Sequence, residues 1–477
     1  MEIKIFDTVH RHLEVFKPIR PNEVGIYNCG PTVYSTAHLG NFRTYLMADL
    51  LRRIFEYNGY SVKFVMNITD VGHLEGDTDD GEDKLAKAAT AQKLSAWQIA
   101  AKHTQEFVAD LGRLNIEEPY KLPKATDHIE EQIALVKELE VKGFTYKTSD
   151  GIYFDTAKFP KYHEFTGQKL EEKDAGARVE VNPEKRQPED FALWKYSYPG
   201  GRSFDSAQDD ERSRRQMEWD SPWGKGFPGW HIECSAMSAK YLGQPFDIHT
   251  GGADLAQTHH PNEVAQTEAA TGKPLASYWL HAAFMNVDGA KMSKSLGNVY
   301  TVQDLVDRGH SPLSFRLMCL MTSFRKPLNF TWEGLNAADI ALKKLIQLVR
   351  TLPKEGREIP EELEQDFRIR INDDLGLAQG LSLFWEKLRS DLDPQIKSQI
   401  IKNWDQVFGL DLAKELGRGI DIPQEVTDLL LARQQAREAK DFTRADEIRN
   451  SIEAMGFEVR DTEQGSEAVP RIEPTIL

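Results

Sequence analysis

Between Gly229 and Glu263 the chain reads GWHIECSAMSAKYLGQPFDIHTGGADLAQTHHPNE. Cys234, His259 and Glu263 are candidate zinc ligands, and the four-residue step from His259 to Glu263 puts both on one face of a helix. Three donors fall short of a closed structural site, and the chain has two further cysteines, Cys29 and Cys319. Gly251-Gly252 followed by Asp254 allows backbone to approach a nucleotide while a carboxylate takes its ribose hydroxyls. Trp230 and His231 form an aromatic wall beside the thiol. Further on, NVDGAKMSKSLGN places Lys291 and Lys294 in a glycine-flanked loop of small residues, suited to a mobile clamp on a triphosphate. Two lysines can neutralise the charge that builds on pyrophosphate as it leaves. Taken singly these features also have ordinary readings: buried core thiols, a loop histidine, a chance lysine pair.

The elements that must position them follow from hydrophobic pattern. Val24 to Asn28 is a short apolar strand ending at Cys29-Gly30-Pro31. His38-Leu-Gly-Asn41 then opens a helix with Leu46, Met47, Leu50, Leu51, Ile54 and Phe55 on one face. Gly59 ends it, and Ser61 to Met66 is the next strand, giving a βαβ unit whose loop lies where doubly wound sheets bind ligands. His38 and Gly40 fall at the helix N-terminus, where free N–H groups and the dipole favour phosphate. Asn67 to Asp70 follows the second strand, again at a carboxyl end. Residues 73–83 read as a solvated acidic loop, because the spacing of a calcium loop is not met. A long helix is expected from about Asp83 to Leu111, closing at Gly112, and another from Ile129 to Lys142. From Gly151 to Trp194 the pattern turns to short strands (GIYFDT, ARVEV, DFALWK), an insertion between two halves of a nucleotide-binding fold. Residues 200–216 read as an exposed disordered loop whose Arg212, Arg214 and Arg215 are solvated charges. Ser277 to Phe284 is a strand, and Cys319 sits among apolar neighbours as a helix core residue.

A chain of 477 residues holds about three domains. Its 40% apolar and 28% charged content is that of a soluble protein, and no run approaches the length of a membrane span. Three cysteines in so long a chain argue for a reducing, cytoplasmic setting rather than a disulfide framework. The net charge of −16 argues mildly against broad nucleic-acid binding and leaves a local basic face open.

His38-Leu-Gly-Asn41 with the later Lys291-Met-Ser-Lys-Ser295 resembles the HIGH and KMSKS pair of class I aminoacyl-tRNA synthetases. Tyr27 to Tyr34 (YNCGPTVY), WGKG from Trp223, PGWHIECSAM from Pro228 and HHPNE from His259 narrow the resemblance to the cysteinyl-tRNA synthetases, from about residue 3 to residue 465. The resemblance implies an α/β fold: a Rossmann-type doubly wound parallel sheet with an inserted connective domain, then a helical bundle and a small C-terminal anticodon-binding domain. Its parts would be residues 1–115 (first half of the catalytic domain), 116–222 (connective insertion), 223–290 (second half), 291–332 (KMSKS loop and stem contact), 333–420 (bundle) and 421–477 (anticodon unit and tail). It supplies the missing ligand, giving one Zn²⁺ held by Cys29, Cys234, His259 and Glu263. It implies a cysteine--tRNA ligase that uses ATP with Mg²⁺ and charges tRNA(Cys), as a monomer and without an editing domain. His38, Asn41, Lys291 and Lys294 would stabilise phosphate charge; Gly40, Gly251, Gly252, Asp254 and Lys294 would hold ATP; Trp230 and Thr69 would meet cysteine. The chain departs from the pattern at Asn41, at Pro261 within HHPNE, which a first helical turn tolerates, and at Ala256-Gln257-Thr258.

The C-terminal third is helical, with amphipathic helices expected over Leu335–Leu352 and Asp373–Leu388. From Pro423 a smaller unit begins, and Asp441 reads as an N-cap that splits it into two helices. Arg433, Arg437, Lys440 and Arg444 would face the anticodon end of tRNA, and Ser466 to Leu477 would be disordered. A related ligase that joins cysteine to an amino-sugar shares the catalytic pattern and lacks this last unit. A catalytically silent zinc- or RNA-binding paralogue is disfavoured by His38, Lys291 and Lys294.

Overall fold

The apolar residues of the first βαβ segment form the centre of the protein. In the computed structural model, which describes residues 1–72, 84–163, 182–198, 200, 215–293, 296–419, 422–462 and 465–470, the strand Glu23–Asn28 buries Val24 and Ile26 and leads into helix Leu39–Tyr57. The chain returns through Asn58 and Gly59 (φ 86°) to strand Ser61–Met66, parallel to the first with Glu23 opposite Ser61. Much later, strands Phe246–Gly252 and Ala276–Ala282 add to the other edge, giving a four-stranded parallel sheet in the order Ala276–Ala282, Phe246–Gly252, Glu23–Asn28, Ser61–Met66. The order reverses between the two middle strands, and their carboxyl ends, Asn28-Cys29 and Gly251-Gly252, open together. That is where such sheets bind ligands.

Between these halves lies an antiparallel sheet of Thr145–Lys147, Gly151–Phe154, Phe191–Tyr196 and Gly226–Pro228. Its last strand runs through Gly229 directly into helix Trp230–Leu242, which carries Cys234. The expected ARVEV strand lies outside the described residues, as do the acidic loop 73–83 and most of the 200–216 loop. At the end of that loop Arg215 is half-buried and packed rather than solvated, while the exposed Gln216 is tied down by a hydrogen bond. The Arg215 guanidinium stacks 3.4 Å from the Phe227 ring centroid and donates to Gly72 O, and Gln216 Oε1 accepts from Ala96 N.

The long helix expected to end at Gly112 is two helices, Lys84–Gln92 and Ala96–Arg113. Lys93 takes a left-handed conformation (φ 55°), and Ser95 starts the second helix with a capping box to Gln98. Gly112 lies inside that second helix. Helix Ile129–Val141 forms as expected.

The described residues divide into two compact units, one of residues 1–308, 322–330 and 369–376, the other of residues 309–321, 331–368 and 377–477. In the second, helices Trp332–Arg350, Leu377–Arg389 and Pro394–Phe408 are amphipathic, and Phe367 stacks on Trp404 at 4.2 Å. Asp373 to Gly376, expected to begin a helix, forms a turn with left-handed Asp374 and Leu375 (φ 55° and 51°). Cys319 is buried in helix Pro312–Leu320. The terminal unit has helices Gln424–Glu438 and Phe442–Ala454, split where Asp441 caps the second by accepting from Arg444 N. The tail is ordered further than expected: Gly465–Pro470 pairs with Phe457–Thr462, covering a core of Val426, Ile452 and Phe457.

One buried cation ties the first unit together at its ligand-binding end. Arg43, 1% exposed in helix Leu39–Tyr57, donates to the carbonyls of Ala283, Phe284, Ser323 and Lys326 (2.5–3.2 Å). Arg43→Met keeps the apolar stem and leaves buried carbonyls unpaired, a loss of about 3 kcal/mol. Urea unfolding should show this as a lower midpoint with unchanged slope.

Candidate active site and metal centre

Cys29 leaves the end of its strand, Cys234 lies in the second turn of helix Trp230–Leu242, and His259 opens helix His259–Thr271 with Glu263 one turn on. Pro261 sits in the first turn of that helix, where its missing N–H costs no bond. One donor atom from each of the four lies within 4.8 Å of the other three, and all four residues are buried. Cys29 Sγ is 3.9 Å from Cys234 Sγ and 3.6 Å from Glu263 Oε1, and His259 Nε2 is 3.0 Å from Glu263 Oε1. A second grouping shares Cys29 and Glu263 and adds His249 and His260. Both groupings include Cys29 and Glu263; the first adds a second sulfur, which suits a borderline-soft ion such as zinc.

The charges of the cluster fit a cation. Burial pushes the Cys29 thiol up, with Cys234 and Glu263 adding to it. Burial raises Cys234 too, but its hydrogen bond with Cys29 and the neighbouring His259 bring it down to about 7. Burial opposes charge on Glu263, yet His249 and His259 hold it at about 2. Burial likewise works against protonated His259, and Glu263 with Cys234 overcomes it, raising the ring to about 10. These anions draw positive charge to the cluster, and a bound cation would take the place of the His259 proton and leave the ring neutral, as a metal ligand must be.

A layer of histidines surrounds these four; the sequence pointed to His231 only as an aromatic wall and passed over His249, His260 and His281. His231 Nδ1 lies 2.9 Å from His259 Nδ1, and His249 Nε2 lies 2.9 Å from Glu263 Oε2, so each orients a ligand through its far atom. His260 Nδ1 meets His281 Nε2 at 2.8 Å. Asn67 is a further omission: its Oδ1 accepts from Gly30 N (2.9 Å) and lies 3.6 Å from Cys234 Sγ. The available signal was position, since His249 and His281 alternate on strands that end at the site.

The other candidate residues divide. His38 is the N-cap of helix Leu39–Tyr57, its Nδ1 accepting from Asn41 N while Asn41 Oδ1 accepts from His38 N. His38, Asn41, Gly252 and Asp254 line two adjoining hollows. One also includes Cys29 and Trp230; the other includes Gly40 and Lys291. The Trp230 ring lies 4.5 Å from the His259 ring. A Cβ on Gly252 would stand 2.3 Å from Asp254 Oδ1, so a larger residue there would displace that carboxylate. Gly251 and Thr69 line neither hollow. A Cβ on Gly251 would press on His260 at 2.8 Å. Thr69 is buried, donating to Glu233 Oε2 (2.8 Å) and accepting from Asn67 Nδ2 (3.0 Å). Glu233 was also missed; burial, the largest influence, holds its carboxyl well above the usual range. Lys291 is exposed at the end of strand Ala290–Lys291, and Asn298 ties the loop by donating to Lys291 O and accepting from Ser293 N. Lys294 lies outside the described residues.

Comparison with known proteins agrees with this geometry. The family described as tRNA synthetases class I (C) catalytic domain matches residues 15–340, and the cysteinyl-tRNA ligase anticodon binding domain matches residues 420–467. The chain is 46% identical over 466 residues to cysteine--tRNA ligase 1 of Burkholderia lata, covering 98% of this chain and 96% of the relative. The chain belongs to the cysteinyl-tRNA synthetases. As a member of that family it is a cysteine--tRNA ligase of class I. The cysteine--tRNA ligase of Thermus thermophilus is 39% identical over 494 residues, with 98% of each chain covered. A methionyl-tRNA synthetase of Mycobacterium tuberculosis, in complex with methionyl-adenylate, shares the class I fold at a TM-score of 0.54 and 16% identity, covering 89% of this chain and 96% of that one. The match at 420–467 falls on the small C-terminal unit that was expected to separate the synthetases from the amino-sugar ligase.

Within the anticodon-domain match, the basic stripe is partly spent on the protein itself. Arg433 is 4% exposed and donates to Asp461 and Ser466, and Arg437 pairs with the same Asp461, while Lys440 and Arg444 are exposed. Among the described residues, no helix is long and apolar enough to cross a membrane.

The close approach of the first strand end to Asn67 sets a steric test. A Cβ on Gly30 would fall 1.7 Å from Asn67 O and 3.2 Å from Met66 Cγ. Gly30→Ala should therefore push the Cys29 loop off the neighbouring strand end. Thermal unfolding of the variant should show a loss of about 2 kcal/mol, in the range for overpacking.

Proposed function

We propose that the protein activates cysteine with ATP to give cysteinyl-adenylate and pyrophosphate, then transfers the cysteinyl group to the 3′ end of tRNA(Cys). The observation that carries this reading is the meeting of two thiols, an imidazole and a carboxylate beside a hollow also lined by His38, Asn41 and Asp254. The metal assigned to the cluster is Zn²⁺, one per chain, held by Cys29, Cys234, His259 and Glu263, with ATP entering as its Mg²⁺ complex. Bound there, zinc supplies a borderline-soft centre that prefers a thiol to a hydroxyl, a distinction that pocket shape makes poorly.

The protein's own groups position the reactants. The carboxylate of cysteine forms a bond to the α-phosphorus of ATP as the bond to the β-phosphate breaks. His38 Nδ1 is occupied by the Asn41 N–H, so the ring proton resides on Nε2 and can be offered to a phosphate oxygen. Asn41 spends its carbonyl on His38 N and presents its amide as a second donor. Both act at a helix N-terminus, whose dipole adds to the attraction. Gly40, Gly251, Gly252 and Asp254 are assigned to the nucleotide, with Asp254 accepting from ribose hydroxyls. Trp230 walls the cysteine pocket, and Thr69, tied to Glu233 and Asn67, supports its floor. Lys291 and Lys294 take up charge on the departing pyrophosphate. In the second step the terminal ribose hydroxyl of tRNA attacks the carbonyl carbon and AMP leaves. No side chain is needed as a nucleophile; positioning and electrostatics carry the rate.

Residues 421–477 are assigned to the anticodon end of tRNA(Cys), 333–420 to the helical bundle, 291–332 to the KMSKS loop and stem contact, and 116–222 to the connective insertion between catalytic halves 1–115 and 223–290. The enzyme is assigned as a cytoplasmic monomer. Cys29, Cys234 and Cys319 as free buried thiols support a reducing compartment.

The test is charging of bulk tRNA by the full chain with labelled cysteine, and with serine in parallel. Cysteine alone should be attached. Cysteine-dependent pyrophosphate exchange without charging would move the acceptor to another amine, and neither activity from zinc-loaded protein would overturn the reading. Chelation of the metal should abolish cysteine activation, and zinc should restore it. Lys291→Ala and Lys294→Ala should each slow pyrophosphate exchange about 100-fold. Undiminished exchange in the Lys294 variant would sink the clamp.

A further inference from the structure

We propose that the N-terminal hairpin carries a second metal site, for a divalent transition-metal ion, built from His10, His12 and Glu14 with Asp7 beside them. Strands Lys4–Asp7 and His12–Val15 pair so that Asp7 stands opposite His12 and Ile5 opposite Glu14. Asp7, His12 and Glu14 therefore share one face, and His10 joins them from the turn. Donor atoms of Asp7, His10 and Glu14 lie within 4.8 Å of one another. Glu14 Oε1 is 3.1 Å from His10 Nδ1 and 3.1 Å from His12 Nε2.

Hydrogen bonds orient the donors. His12 Nδ1 lies 3.0 Å from the carbonyl of His10, which can only accept, so that nitrogen donates. The carbonyl thereby turns Nε2 toward Glu14, as the partners of metal-bound histidines do. Asp7 is anchored: its Oδ1 accepts from Val9 N and His10 N at 2.7 Å each, and its Oδ2 from Trp279 N at 3.0 Å. The mobile donors are the two rings, with side chains 54% and 62% exposed, and they can close on an ion without moving the fold. Two imidazoles and a carboxylate suit Zn²⁺, Ni²⁺ or Cu²⁺, and not the all-oxygen shells of Ca²⁺ or Mg²⁺. Water would complete the shell.

The experiment dialyses the zinc-loaded full chain against Ni²⁺ and counts nickel and zinc separately by atomic emission. The expected result is about one nickel per chain with the central zinc retained. A His10→Ala/His12→Ala variant should bind nickel roughly tenfold or more weakly. Glu14→Gln should weaken it as well, with zinc content unchanged in both. No nickel uptake, uptake only in exchange for zinc, or equal uptake by the double variant would overturn the proposal.

Discussion

The parallel pairing of Glu23–Asn28 with Phe246–Gly252 is the constraint on which the rest depends. Ile26 stands opposite Ile248 and Asn28 opposite Thr250, residues more than two hundred positions apart in sequence. The pair is locked at its carboxyl end, where Thr250 Oγ1 donates to Asn28 Oδ1 (2.7 Å) and Cys29 N donates to Thr250 O (3.2 Å). A register slip of one residue would exchange the faces that Ile26 and Tyr27 fill, both fully buried, and carry Cys29 away from Cys234. Everything between the two strands must return the chain to this edge. The same pairing that closes the sheet therefore assembles the donor set.

Charge balance around Glu263 is the second organising fact. The carboxylate is fully buried, and its two oxygens face His259 and His249 at 3.0 and 2.9 Å. A buried carboxylate without such partners would take up a proton and cease to be a useful donor. His249 and His259 keep it ionised, while His231 and His281 hold His259 and His260 in turn. A connected polar layer replaces part of the apolar core beneath the hollow, and Trp279 packs against it, 4.7 Å from the His249 ring.

Legibility in the sequence followed the distance over which each signal acts. The βαβ unit was readable because its turn, helix face and strands are local, and strand Ser61–Met66 fell on the expected residues. The split at Asp441 was likewise local. Cys234, His259 and Glu263 lie within one stretch and were singled out by type and spacing, and the fold brings their donor atoms together. Cys29 entered only through resemblance, because nothing local relates it to Cys234. The break at Lys93 to Ser95 was written in the Ser-Ala-Trp-Gln cap but outweighed by helical periodicity on both sides. The order at Gly465–Pro470 was invisible because that strand owes its place to its partner Phe457–Thr462. His249, His260 and His281 were overlooked for the same reason: they touch only after the sheet closes.

His38 combines two duties that most proteins give to different residues. Its backbone and Nδ1 end a helix, and the remainder of the same ring faces the hollow. Serine or aspartate is the usual choice for such a cap. At this position those residues would preserve the helix start while removing the ring from the hollow. Stability by itself therefore leaves the position open to them, and only the role proposed for the ring would set histidine apart.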